Sequence, residues 1–557
     1  MQKNLSIGLT NIILLQNFTV FPEYFVSISI IYVLIVIVLI TYNVFGLMLQ
    51  KTLSECIALI LLMTCYLILN DDLLTLNFIS FHNSVVNDYL AFITKFLICF
   101  FSAIYFILIS TSLKEQKLTS FEYLLIILFA ILGLLLMCSS NDFLTAYLSL
   151  ELSSLALYIL ASFKKTSSYS IESGLKYFIT GAVSSAFFLL GSSFIYLYSG
   201  SVHFDDFKTL YESDMFFFDE EFAKECPIYF DLLFNPILDM SWAYREFFFG
   251  LIDNGTLTTS GVLRSMFDFS FIEIGLALII FSMCIKLAAA PFHLWSLDVY
   301  EGSPTSSSFF FAAITKLSIF VLLIRICFFN FHSAFVHWQF YFFWIGVISV
   351  FVGSFGGLKQ RRLKTLLAYS SITNMGYALL ALGTATVIGI QMLFFHIVIY
   401  MISGLCTWSI LIFLRLKNKK LSNKYNKELS DLALLRKSNP ALAFAFSLTM
   451  FSIAGIPPMV GFLAKMGIFL SVINIYFYIF AVASAVFSVI ATVYYIRVIK
   501  VVYFENLLVG KLYYPINSSN TILLSFLIFL LLILFINPSI LFIWGYKLIP
   551  LTKFAVF

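Results

Sequence analysis

Five charged side chains stand inside otherwise apolar stretches: Glu151 in YLSLELSSLALY, Lys176 in SGLKYFITG, Lys286 in FSMCIKLAAA, Lys316 in FFAAITKLSIF and Lys465 in GFLAKMGIF. An ionisable group among hydrocarbon is costly, and its presence marks a functional candidate. One carboxylate and four amines point to proton transfer, because burial disfavours a charged amine and a nearby carboxylate favours it. A lysine near a helix end can instead reach the interface along its stem, and that reading suits Lys95 and Arg325. It suits Lys286, Lys316 and Lys465 poorly, since each lies beside a helix break or deep within a span. Glu151 is too short for it. Glu172 and Lys176 are spaced i, i+4, so a helix-stabilising pair is an alternative use of Lys176. Two histidines are further candidates. His293 follows Lys286 by seven residues, where a satisfied interfacial histidine competes with a proton relay, and His396 is mid-span in LFFHIVIYM.

The elements that carry these groups follow from composition. The chain has 557 residues, 61% of them hydrophobic and 11% charged, with a mean hydropathy of +0.99. Soluble domains are about a quarter charged. Apolar runs of about 20 residues recur, each the length that spans a bilayer, and the short alternating strands of a barrel are missing. The fold class is therefore an all-α membrane protein with about fourteen transmembrane helices. They fall near 24–42, 55–70, 89–111, 121–138, 142–162, 174–199, 271–290, 306–328, 338–356, 363–382, 386–414, 441–462, 467–498 and 521–546.

Loop charges check that count. Loops joining odd to even spans carry Lys51, Lys114, Lys117, Lys164, Lys165, Lys359, Arg361, Arg362, Lys364, the stretch RLKNKKLSNKYNK at 415–427, and Arg497, Lys500 and Lys511. Loops joining even to odd spans carry Asp71, Asp72 and Asp142, then the acidic segment 203–270. The positive-inside rule places the first set together on one side and both termini on the other. Segment 203–270 reads as an extramembrane insertion on the less positive face. The N-terminus, MQKNLSIGLT, has no cleavable-signal pattern and leads into the first span.

Eight cysteines without a C-x-x-C exclude a disulfide framework, a zinc site and an iron–sulfur cluster. Neither a P-loop nor G-x-G-x-x-G occurs, and a net charge of +4 gives no reason to expect nucleic acid. GSFGG at 353–357 follows no strand and reads as helix packing or a turn.

Two spans contain prolines. AAAPFHLW in the seventh and AGIPPMVGFLAK in the twelfth each have a lysine within about two turns. Backbone freed by a break is tolerated in a membrane only where protein or water satisfies it. Paired broken helices at corresponding places are the signature of transporters built from inverted repeats. The expected division is a three-helix segment (1–119), a first five-helix repeat (120–328) interrupted by the insertion, a second repeat (329–500) and a C-terminal loop and helix (501–557).

Three long stretches, LSLELSSLALYILASFKK, ESGLKYFITGAVSSAFFLLGSSFIY and KLAAAPFHLWSLDVYEGSPT, closely resemble the antiporter-like subunits of respiratory complex I, specifically the chain 2 family of mitochondrial NADH–ubiquinone oxidoreductase. RLKTLLAYSSITNMGYALL and GIPPMVGFLAK add matches in the second half. The resemblance covers roughly 120–500 without 203–270. Animal members lack the first three helices, which this chain retains, and the acidic insertion departs from the family pattern.

The resemblance implies one proton channel of a membrane arm. By position, Glu151 matches the family's fifth-helix glutamate, Lys286 the lysine of the broken seventh helix, Lys316 that of the eighth, Lys465 that of the broken twelfth, and Lys176 a sixth-helix lysine with a weaker role. Glu151 approaching Lys286 would hold its proton, and withdrawing would release it toward Lys316 and Lys465. A switch of about 4 kcal/mol compares with about 2.3 kcal/mol for one charge crossing 100 mV.

No cofactor is expected on this chain. NADH, FMN, iron–sulfur clusters and ubiquinone belong to the partner subunits the resemblance implies. Partners would be other membrane-arm subunits and membrane lipids, cardiolipin being a candidate. The location implied is the mitochondrial inner membrane, with both termini and the 203–270 insertion facing the intermembrane space. A stand-alone sodium/proton antiporter subunit, a purely structural membrane subunit and, more distantly, a solute permease are the alternatives left open.

Overall fold

Inside a bilayer no water meets backbone N–H and C=O groups, so an apolar span must satisfy them internally as a helix. The computed structural model is accordingly helical almost throughout. It describes residues 20–41, 46–75, 79–114, 116, 118, 120–207, 259–332, 334–414, 428–433, 435–505 and 516–547. Most of the 203–270 insertion, the basic stretch 415–427, Lys117, Lys511 and both termini lie outside them. Only the backbone is described for 259–270.

The first three helices are α1 (Phe21–Thr41), α2 (Gly46–Thr75) and α3 (Tyr89–Ile109). A short antiparallel hairpin, Ile79–Ser80 with Val85–Val86, connects the last two. Then come α4 (Glu122–Ser139), α5 (Phe143–Ser162), α6 (Ser168–Ser199) and α7 (Thr259–Leu287). The chain continues through α8 (Leu294–Gly302), α9 (Thr305–Ala313), α10 (Thr315–Leu323) and a π-helical turn over Ile324–Asn330. The second set is α11 (Phe335–Leu358), α12 (Leu363–Gly383), α13 (Val387–Phe413), the single turn α14 (Leu435–Ser438), α15 (Pro440–Ala454), α16 (Val460–Asn474) and α17 (Tyr478–Tyr503). The described chain ends with α18 (Ser518–Ile536) and α19 (Ser539–Lys547).

Twelve helical segments among the described residues are long and apolar enough to cross a membrane. The remaining two spans of the expected fourteen are the broken ones, α7–α8 and α15–α16. Two boundaries need correction. The twelfth span was expected at 441–462 and the thirteenth at 467–498, but residues 460–474 form the second half of the broken twelfth. The thirteenth starts at Tyr478. A tight turn separates them, with Tyr476 at φ 64°, and no proline or glycine marks it. The fourteenth span is also divided, at Asn537–Pro538.

α5 packs between α4 and α6, α6 against α7, and α11 against α12 and α17. The two sets meet where α9 packs on α13 and α8 on α12. The core lies at that junction: segment 305–330 is buried essentially throughout and α12 nearly so. Close packing of α6 on α7 depends on two glycines, because a Cβ at Gly191 would sit 2.6 Å from the Gly275 carbonyl oxygen and one at Gly275 2.7 Å from that of Gly191. The GSFGG stretch proves to be helix packing, with Gly353 against Thr373 and Tyr369.

Lys95 and Arg325 do not reach the interface along their stems. Both are buried, Lys95 in an ion pair with Glu23 of α1 and Arg325 in one with Asp88 at 2.9 Å. The expectation overlooked Glu23 and Asp88 because each sits at a helix start, where a charge is ordinary.

Candidate proton-transfer site

α5 begins with a capping box in which Asp142 and Thr145 satisfy each other's backbone. His203 bonds to the Asp142 carboxyl from across the loop. Burial pushes the Asp142 carboxyl above its ordinary value, an effect that His203 opposes. From this anchored start the helix carries Glu151, half-buried, then Ser154 one turn later and Tyr158 a further turn on. The Ser154 hydroxyl donates to Glu151 Oε2 at 3.4 Å.

Lys286 occupies the last turn of α7. Its ammonium is buried and has no hydrogen-bond partner, although part of its stem is accessible. Beyond it the chain leaves the helix, with Ala288 at φ 59°. The Trp295 indole N–H donates to the Ile285 carbonyl at 2.9 Å, which also accepts from the Ala288 N–H, so the indole ties the chain past the break back to the end of α7. Trp295 in turn stacks on Tyr177, with centroids 4.7 Å apart. Glu151 is near enough to act electrostatically on Lys286.

A cavity of about 40 Å³ lies between these helices, lined among others by Ser154, Tyr158, Tyr177, Thr180, Lys286 and Thr315. That is room for a water or two with several polar partners. It joins the Glu151 helix to Lys286 and reaches Thr315, the neighbour of Lys316. Lys316 itself is buried at the start of α10, directly after Ile314 interrupts the helical run. Its Nζ donates to the Tyr400 hydroxyl at 3.4 Å and lies 5.2 Å from that ring's centroid.

The second break is closed differently. Gly455, at φ 79°, ends α15, and Lys465 reaches back from α16 to donate to the Ile453 and Ala454 carbonyls at 2.9 and 2.8 Å. Its Nζ also stands 5.1 Å from the centroid of the Tyr377 ring. The His396 ring meets that of Tyr377 edge-on, at 6.2 Å between centroids. Its Nε2 meets the Asn374 carbonyl at 3.2 Å, while its Nδ1 is buried without a partner.

Glu151, Lys286 and Lys316 thus gather about the first break, and Lys465 and His396 about Tyr377 at the second. Lys176 stands outside both groups. Its side chain is 43% exposed, and its amine pairs with Glu172 and Asp298, each at 2.7 Å. The helix-stabilising pair is therefore formed, with a third member from α8. His293 opens α8, half-buried, with Nδ1 unpartnered. Sequence reasoning missed Ser154, Tyr158, Tyr177, Thr180, Thr315 and Tyr400. The i, i+3, i+7 spacing of Glu151, Ser154 and Tyr158 was the available signal.

Comparison with known proteins places the chain in a family and a fold. The family model described as NADH:quinone oxidoreductase/Mrp antiporter, TM matches residues 140–226 and 239–491. NADH-ubiquinone oxidoreductase chain 2 of Marchantia polymorpha is 33% identical over 462 residues, 83% of each chain. NADH-quinone oxidoreductase subunit N of Pelagibacter ubique is 34% identical over 522 residues, 93% of this chain and 96% of that one. The bacterial relatives are as similar as the one named for ubiquinone, so the family is not specifically mitochondrial. In fold, a chain of respiratory complex I from Thermus thermophilus matches with a TM-score of 0.68 at 23% identity, covering 94% of this chain and 98% of that one. A chain of the Mrp complex from Dietzia sp. matches at 0.71 and 15%, covering 96% and 97%. This multi-span chain belongs to the NADH:quinone oxidoreductase/Mrp antiporter family of membrane subunits.

Proposed function

We propose that this chain is the proton-translocating membrane-arm subunit of a respiratory complex I, an NADH:quinone oxidoreductase, in which it moves protons without redox chemistry of its own. The observation that carries the reading is the buried, unpartnered ammonium of Lys286, facing a water-sized cavity and within electrostatic reach of Glu151. A charge so placed is held by one movable carboxylate. When Glu151 is near, Lys286 keeps its proton; when it withdraws, the proton passes through the cavity toward Thr315 and Lys316. His396 and Lys465 continue the route into the second helix set. Lys176 steadies α8 through Asp298 and has a secondary part, and His293 lies beside the first break as a lesser candidate.

Partners in this reading are other membrane-arm subunits together with lipids, cardiolipin among the candidates. NADH, FMN, iron–sulfur clusters and ubiquinone sit in the partner subunits. The membrane is a coupling membrane, the inner membrane in a mitochondrion, with the basic loops inside and both termini and the insertion outside. The chain divides at 119, 328 and 500 into an N-terminal segment, two five-helix repeats and a C-terminal helix. The likeness in fold to a Mrp complex chain keeps cation/proton antiport as the second reading.

The test is Lys286→Met in the native organism, followed by a native gel stained for NADH oxidation. Normal assembly with proton translocation per NADH reduced about tenfold or more supports the reading. Translocation equal to wild type, or migration of the chain outside the NADH-oxidising complex, would sink it. Proton movement that requires sodium would favour antiport.

A further inference from the structure

A site that hands protons across a membrane stays closed to one side at a time, since an opening to both would let the gradient run back through it. The Lys286 cavity has a wall suited to that closure. Tyr177 of α6 and Trp295 of α8 both line it, and both are partly exposed, so their rings stand between the cavity and the surface of the helix pair. The rings lie nearly parallel, at 8° between planes. Tyr158, which also lines the cavity, meets Tyr177 edge-on with centroids 4.8 Å apart. Next to the stack stands the exposed ionic triad: Lys176 precedes Tyr177 in the chain, Asp298 comes one turn after Trp295, and Glu172 completes it. Lys176 is eight residues into α6, about 12 Å along the helix from a start that follows the basic loop of Lys164 and Lys165. α8 runs toward the same face, from Trp295 to Glu301, which pairs with Arg362 in the basic loop between α11 and α12. From the basic loops inward the order is therefore triad, stacked rings, Lys286. α8 is also held to α6 along this line. A Cβ at Gly302 would lie 2.5 Å from the Tyr169 carbonyl oxygen, so residues 295, 298 and 302 of α8, spaced i, i+3, i+7, all meet α6.

We infer that the Tyr177–Trp295 stack is the seal that closes the Lys286 cavity toward the basic-loop side, with the Lys176–Asp298 pair and the Gly302 contact keeping α8 in the sealing position. The inference rests on the proton-translocating reading above and assigns to two positioning residues the task of keeping that site from opening to both sides. The chemistry of the rings suits the task. Indole has a single hydrogen-bond donor, and that of Trp295 is directed to the Ile285 carbonyl. No polar atom of that ring remains to lead water inward, and a water settles only where several polar partners meet it. The triad offers such partners on one side of the stack and the cavity offers them on the other, so the rings are the apolar step between two polar places. The same indole bond reaches the last turn of α7, which carries Lys286. The seal is thus built onto the turn that holds the amine it guards.

Tyr177→Ala removes one ring of the stack and Tyr177→Phe keeps it, in the intact complex in native membrane vesicles. The readouts are the passive decay of an imposed pH step without NADH, proton translocation per NADH, and NADH oxidation with an artificial acceptor as a check on the redox arm. Tyr177→Ala is expected to assemble, to leak protons several-fold faster than wild type, and to lose translocation several-fold. Tyr177→Phe is expected to return the leak to the wild-type rate. Adding Lys286→Met to Tyr177→Ala is expected to stop the leak, because the opened path runs through that amine. A purely structural role for Tyr177 would lower assembly without any leak. A wild-type leak rate in Tyr177→Ala, where Lys286→Met has lost translocation, overturns the seal and leaves the function standing, as does a leak that survives Lys286→Met. Wild-type translocation in Lys286→Met alone overturns the function itself. Should Tyr177→Ala fail to assemble, Tyr177→Leu decides, since it keeps apolar bulk without a flat ring. A wild-type leak rate there, or a second failure to assemble, overturns the seal.

Discussion

The amine of Lys465 donates to two carbonyls that the end of α15 would otherwise leave bare, whereas that of Lys316 makes one long bond to a hydroxyl. Replacing each with methionine should therefore have different results. Lys465→Met strands two buried acceptors, at about 1–3 kcal/mol each, and is expected to lower both translocation and the unfolding temperature of the purified complex. Lys316→Met is expected to lower translocation while leaving that temperature unchanged. Equal unfolding temperatures for the two variants would show that Lys465 does not hold the break. Both lysines were visible in the sequence because a charge within an apolar run stands out. Tyr400, Tyr158 and Thr180 were not, since hydroxyls are scattered through every span and only tertiary contact selects the few that lie near an amine.

At the level of elements, the two breaks end their helices by different means. Trp295, nine residues past Lys286, ties the first back with an indole bond to a carbonyl that the backbone already serves, and Lys465 satisfies the second with its own amine. Prolines announced both places. The turn at Ile475–Phe477 carries no such marker, which is why a continuous apolar run was expected across it. Lys286 also depends on α7 holding its position, and the crossing of Gly191 and Gly275 sets how closely α7 lies on α6. Gly191→Val is expected to push the helices apart, lowering translocation several-fold and the yield of assembled complex, as read from a native gel and a vesicle assay. Wild-type yield and translocation would mean that the crossing has slack.

Across the whole molecule, the three N-terminal helices are joined to the rest by charge as well as by apolar packing. Glu23 with Lys95 forms a buried ion pair that ties α1 to α3 within the three-helix segment, and Asp88 with Arg325 forms the one that crosses to the π-helical turn ending segment 305–330. Removing one partner of a buried pair costs about 3–5 kcal/mol, while replacing both is often nearly neutral. Lys95→Met is thus expected to reduce assembled complex sharply, and Glu23→Gln with Lys95→Met to restore much of it, measured by the unfolding temperature of the solubilised complex. Equal losses in the single and double variants would rule out the charge as the cause. The number of spans was legible from run lengths and loop charges. Which span lies at the centre was not, because the apolar content of segment 305–330 resembles that of the outer helices. Its central place bears on how the chain is made. With no face left for lipid and an amine at its middle, this span finds its surroundings only after α12 and α13 have been synthesised. Until the ribosome reaches them, the insertion machinery or the earlier helices must shelter it, so biogenesis cannot proceed one helix at a time.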